Sequence, residues 1–126
     1  MAKIVIIEDD KGLASLYKSR LEGDNHQVAI FDDVSVIDSM KNNKPDLVVL
    51  DLLMPKVQGI DILKQMKGDE SLSSIPVLIL THVEGTAEME KAINLGAIGY
   101  LLKSEVDEDT LASKVKMLVE SKSLGF

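Results

Sequence analysis

Three carboxylates, a hydroxyl and an ammonium stand at the ends of short apolar runs in this chain. Glu8 and Asp9 follow Ile4–Ile7, Asp51 follows Leu47–Leu50, Thr81 follows Val77–Leu80 and Lys103 follows Tyr100–Leu102. Carboxylates gathered at one point can hold a hard divalent cation through oxygen. A hydroxyl and an ammonium beside them suit the oxygens of a phosphoryl group, and a carboxylate can itself attack phosphorus. If the runs are parallel strands, their carboxyl ends lie side by side and these scattered residues share one pocket.

Each residue also has a plainer explanation. Glu8, Asp9 and Asp10 suit a solvated strand end and the start of a helix, where acids are favoured. Thr81 alone reads as a strand-end hydroxyl and Lys103 alone as a surface lysine. Asp51 resists such treatment, because it interrupts the apolar stretch Leu47–Met54 and an unpaired charge buried there would cost several kcal/mol.

The segments between the runs have helical periodicity. Asp10 is placed to cap a helix carrying Leu13, Leu16, Tyr17 and Leu21 at three- and four-residue spacing, with Gly23 where it would stop. Val36, Ile37 and Met40 repeat the pattern after Asp33, Ile62, Leu63 and Met66 after Gly59, and Met89, Ala92 and Ile93 before Gly96. Leu111, Val115, Leu118 and Val119 form the last stripe. With a second strand around Val28, Ala29 and Ile30, the order is strand then helix five times over. That alternation predicts a doubly wound α/β fold with a five-stranded parallel sheet and helices on both faces.

A chain of 126 residues fits one domain, expected to span 1–126. Hydrophobic residues make up 45% but aromatics only 3%, so the core must be aliphatic, as in parallel strands buried on both faces. The formal charge of −7 argues against direct nucleic-acid binding, which needs a basic surface. Zero cysteines exclude disulfides and thiolate metal sites. No apolar run approaches the ~20 residues that span a bilayer. Neither a signal peptide nor a membrane partner is expected, and the protein is placed in the cytoplasm.

In order and spacing, Ile4-Val5-Ile6-Ile7-Glu8-Asp9-Asp10, Leu47-Val48-Val49-Leu50-Asp51-Leu52-Leu53-Met54-Pro55 with Gly59, Leu80-Thr81, and Gly96-Ala97 with Tyr100-Leu101-Leu102-Lys103 resemble the receiver domain of two-component response regulators, the CheY-like family. The resemblance covers nearly the whole chain. It implies a flavodoxin-like (βα)5 fold with strand order 2-1-3-4-5. It further implies that Asp51 accepts a phosphoryl group from a phosphohistidine of a sensor histidine kinase or phosphotransfer protein, with Mg2+ as cofactor. By the family pattern, Asp9, Asp51 and the carbonyl of Leu53 would be metal ligands and Glu8 would act mostly through a water. Lys103 would pair with the acceptor and then the phosphoryl group, Thr81 would offer its hydroxyl, and Thr81 and Tyr100 would form the switch. The surface of the fourth helix, fifth strand and fifth helix would then meet a downstream protein target. The implied role is a signalling switch, not a turnover enzyme.

Three positions depart from that pattern. Ser104 stands where the family usually has a cis proline, which puts the loop at Lys103 in question, since a cis bond before a non-proline costs about 2.5–4 kcal/mol. His82 replaces a small residue beside the pocket and is expected either to narrow access or to point to solvent. Gln58 replaces a small or acidic residue. Leu53 and Val83 flank the site and cannot orient a water, so slow self-dephosphorylation is expected. His26 is placed near the second strand without a role. Ala97-Ile98-Gly99 lacks the charges of a dimer face, which favours a stand-alone monomer, with a dimer on phosphorylation as the alternative.

Rival readings are a receiver piece of a longer DNA-binding regulator or hybrid kinase, a pseudo-receiver, and a small Mg-dependent phosphohydrolase using Asp51. The hydrolase lacks an acid after its nucleophile, where Leu52 and Leu53 stand. A flavin- or nucleotide-binding flavodoxin would need a glycine-rich phosphate loop where this chain has acids.

Overall fold

The computed structural model describes residues 2–82 and 85–123, the side chains of 122 and 123 excepted. Five strands and five helices alternate: β1 (Lys3–Ile7), α1 (Lys11–Gly23), β2 (Gln27–Phe31), α2 (Ser35–Asn42), β3 (Leu47–Asp51), α3 (Gly59–Lys67), β4 (Val77–Thr81), α4 (Ala87–Asn94), β5 (Gly99–Leu102) and α5 (Glu108–Ser123). All strand pairings are parallel and their order is β2-β1-β3-β4-β5. The doubly wound (βα)5 expectation, strand order included, therefore holds. The second strand is longer than Val28–Ile30 on both sides.

The three central strands show why the sheet forms as it does. Every residue of β3 and β4 is buried, and in β1 only Lys3 is exposed, whereas β2 and β5 are partly exposed edges. The side-chain period of two sends Val5, Ile7, Val48, Leu50, Val77 and Ile79 to one face, where α2, α3 and α4 cover them with Met40, Leu63, Met66 and Ala92. Ile4, Ile6, Leu47, Val49, Leu78 and Leu80 go to the other, beneath Tyr17 and Leu21 of α1 and Leu111 and Val115 of α5. Each fully buried aliphatic side chain contributes roughly 1.5–3 kcal/mol, so these two layers hold the strand ends in place.

Capping sets the helix starts. Asp10 accepts from the Leu13 N–H at 3.0 Å, Thr86 from Met89 N–H at 3.1 Å, and Asp107 from Thr110 N–H at 2.7 Å. Asp33 instead accepts from the Ser35 N–H at 3.0 Å, and α2 starts without a side-chain cap. Asn25 takes a left-handed φ of 69° in the turn from α1 into β2. Next to it, His26 is buried and its Nδ1 accepts the Ala2 N–H at 3.1 Å, a structural tie far from the strand ends that carry the acids.

Two residues leave the expected stripes. Leu16 is 46% exposed and Ile93 43% exposed, because α1 buries Ala14, Tyr17 and Leu21 and α4 buries Met89 and Ala92. The final Leu124-Gly125-Phe126 and Val83 lie outside the described residues.

Candidate functional site

From β1 the chain runs through α1 to β2 on one side and then, through α2, crosses back past β1 to β3 on the other, so the strand order reverses and a crevice opens at the carboxyl ends of β1 and β3. Glu8 and Asp9 come directly after β1, and Asp51 ends β3. Carboxylate oxygens of Glu8, Asp9 and Asp51 lie within 4.8 Å of one another, an acidic group able to hold a metal ion. Glu8 and Asp51 are only 1% and 2% exposed.

Lys103 reaches this group from beyond β5. Its Nζ donates to Asp51 Oδ2 at 3.0 Å and also to Glu8 Oε1, with the lysine side chain 7% exposed. The Glu8 contact was not an expectation of the sequence. The peptide into Ser104 is trans, and the loop still carries Lys103 to the site, its N–H donating to the Thr81 carbonyl at 2.7 Å. Asp51 Oδ1 accepts the Leu53 N–H at 3.2 Å, and Asp9 N–H donates to Glu8 Oε2 at 3.1 Å.

Electrostatics follow from crowding. Burial first, and then the hydrogen bond and repulsion from Asp51, push the Glu8 carboxyl up to about 7, although Lys103 opposes them. Burial alone would lower the Lys103 ammonium, but its bonds to Glu8 and Asp51 outweigh that and raise it. Fully ionised, three carboxylates and one ammonium leave two uncompensated negative charges, which a divalent cation would neutralise.

Thr81 ends β4 next to this group, buried at 4% exposure; Asp51 pairs with Leu80, so Thr81 lies one residue further out. Tyr100, on β5, is 39% exposed. The Leu53 side chain is 56% exposed, leaving its backbone on the site. A cavity of about 580 Å³ opens over the acids, walled by Asp9, Asp51, Met54, Gln58, His82 and Lys103 among others. His82 thus belongs to the cavity wall while also meeting solvent, and Gln58, from which the sequence suggested nothing, stands there too.

Gly59 opens α3 against the back of this site. Its N–H donates to the Leu52 carbonyl at 2.9 Å, and a Cβ there would lie 2.3 Å from the Asp51 carbonyl oxygen and 2.7 Å from Leu52 Cα. Only glycine allows this approach.

A doubly wound α/β domain with an acid cluster and a lysine at its switch point is the class that fold and site define. Within it, the chain belongs to the response regulator receiver domain family, whose sequence profile matches residues 4–116. Receiver domains are signalling switches. The chain is 31% identical over 125 residues to the DNA-binding dual master transcriptional regulator RpaA of Synechocystis, covering 94% of this chain and 49% of that protein. Among solved structures, the receiver domain of a signal transduction histidine kinase from Syntrophus aciditrophicus superposes with a TM-score of 0.84 at 28% identity, covering 96% of this chain and 92% of that one. The Mn(2+)-bound form of response regulator Rcp1 superposes with a TM-score of 0.76 at 26% identity, covering 98% and 93%. The chain spans about half the length of the curated relatives it matches.

Proposed function

We propose that residues 1–126 form a single receiver domain in which Asp51 accepts a phosphoryl group from a phosphohistidine of a sensor histidine kinase or phosphotransfer protein. The observation that carries this reading is the Asp51 carboxylate, held by Lys103 at 3.0 Å within the Glu8, Asp9 and Asp51 cluster. An Asp51 oxygen attacks phosphorus, a P–O bond forms as the donor's P–N bond breaks, and the imidazole leaves. Lys103 then exchanges its contact with the carboxylate for one with the phosphoryl oxygens, and Thr81 donates its hydroxyl to them. Glu8, Asp9, Asp51 and the Leu53 carbonyl would hold Mg2+, which neutralises charge on the transferring oxygens. The cluster fits that cation in donor type and in charge, and the existence of an Mn(2+)-bound form of the similar response regulator Rcp1 supports binding of a divalent ion.

Thr81 and Tyr100 would carry the change outward to the surface of α4, β5 and α5, where a downstream protein target binds. No described helix is long and apolar enough to cross a membrane. We place the domain in the cytoplasm, with a protein target rather than nucleic acid as its own partner, and as a monomer unless phosphorylation drives dimers. A stand-alone switch and a receiver within a longer DNA-binding regulator or hybrid kinase remain distinct arrangements. The native open reading frame decides between them.

Leu53 and Val83 have no polar atom in their side chains with which to orient an attacking water, so the phosphoryl group should persist for minutes or longer. The protein is loaded with acetyl phosphate in Mg2+, the donor is removed and the label is followed; borohydride reduction then maps the acyl phosphate. A lifetime of a few seconds would overturn the slow-hydrolysis expectation. Label on a residue other than Asp51 would overturn the assignment itself.

A further inference from the structure

The cavity over Asp51 is hostile to the ligand it is proposed to receive. Among the described residues that wall it, Asp9, Asp10, Asp51 and Glu88 are acids and Lys103 is the one cation. Lys103 already donates to Glu8 and Asp51 deep in the pocket. A phosphoryl group presents three outward oxygens; Lys103, Thr81 and the divalent cation engage them from within the pocket, and each oxygen keeps a lone pair for a further donor nearer the mouth.

His82 occupies such a place. It follows Thr81 at the end of the strand paired with the Asp51 strand, is exposed, and borders the same cavity. Neutral or charged, an imidazole carries at least one N–H. Gln58, the remaining side chain with an N–H on that wall apart from Lys103, stands beyond the acceptor on the loop that Leu53 and Gln58 bridge.

We infer that His82 is a phosphoryl-binding residue of this receiver, donating a ring N–H to an outward oxygen of the incoming and bound phosphoryl group. The inference rests on the proposed phosphorylation of Asp51. It gives the site a ring N–H donor nearer the cavity mouth than the buried Lys103.

The test compares wild-type protein with His82→Ala and His82→Gln, in saturating Mg2+, by the rate of mass gain against phosphoramidate concentration. Loss of one exposed hydrogen bond predicts a second-order rate constant about five- to tenfold lower for His82→Ala. His82→Gln, which keeps an N–H at similar reach, should recover most of it, and Mg2+ affinity should be equal in all three. An unchanged or faster His82→Ala protein would overturn the inference and make the imidazole a bystander or a gate. A slow His82→Ala that Gln does not rescue would overturn it too. Wild-type protein that gains no phosphoryl group at all would instead defeat the reading of Asp51.

Discussion

Gly59→Ala should destabilise the domain by about 3 kcal/mol or more, read as a lower denaturant midpoint at unchanged slope. The new methyl would meet backbone on the Asp51 side, at 2.3 Å from a carbonyl oxygen, 2.7 Å from Leu52 Cα and 3.1 Å from Asp51 C. No side-chain rotation relieves contact with backbone, so either α3 moves away from β3 or the Asp51 peptide shifts. Both displace the acceptor from Lys103, and phosphorylation should fall with stability. Gly23→Ala is the matched comparison. Nothing lies within 4 Å of a Cβ there, at the last residue of α1, and the change should be neutral or stabilising by about 0.5 kcal/mol. Equal effects at the two glycines would refute the steric argument.

Stability of the metal-free protein should fall as pH rises from about 4.5 to 7. Glu8 has an ordinary value of 4.5 and is raised to about 7 by burial and by Asp51. A raised carboxyl means that the folded state binds the proton more tightly than the unfolded chain does. Its stabilising contribution is complete below 4.5 and is lost as pH climbs through 7, up to about 3 kcal/mol. His26 works in the opposite direction. Burial lowers it below 6.5, so the folded protein gains stability as pH rises through the lowered value toward 6.5. Asp33, Asp69 and Asp107 are lowered from 3.8, so their contributions are lost only at more acid pH. The decisive quantity is therefore the difference between wild type and Glu8→Gln, measured by denaturation at a series of pH values. The amide should remove the fall, and Mg2+ should counter it in the wild type by favouring the ionised carboxylate. Parallel curves for the two proteins would contradict the account.

The strand ends were legible because parallel strands buried on both faces must be short continuous apolar runs, and a charge at the end of one, as at Asp51, stands out. Once the alternation of runs and helical stripes was read, the convergence of Glu8, Asp9, Asp51, Thr81 and Lys103 on one edge followed from topology. Interactions that depend on side-chain reach did not. Lys103 and Glu8 follow strands separated by β3 and β4, and only the long lysine stem brings them together. Leu16 and Leu13 fit the same periodic pattern, yet only packing of α1 against α5 and β2 decides that Leu16 is left in water. His82 joins the cavity wall because of where β4 ends; the resemblance set it beside the pocket, but only the fold shows that it both lines the cavity and meets solvent. The edge strand β2 was read only over Val28–Ile30, because its exposed first residue, Gln27, lacks the apolar signature of a central strand.

The most direct test of the central claim is the intact mass of the protein after incubation with acetyl phosphate, with and without Mg2+, beside Asp51→Ala. The account predicts a gain of one phosphoryl group in the wild type with Mg2+, and none when either the metal or the Asp51 carboxylate is missing. A gain that survives Asp51→Ala, or no gain in Mg2+-saturated wild-type protein, would contradict it.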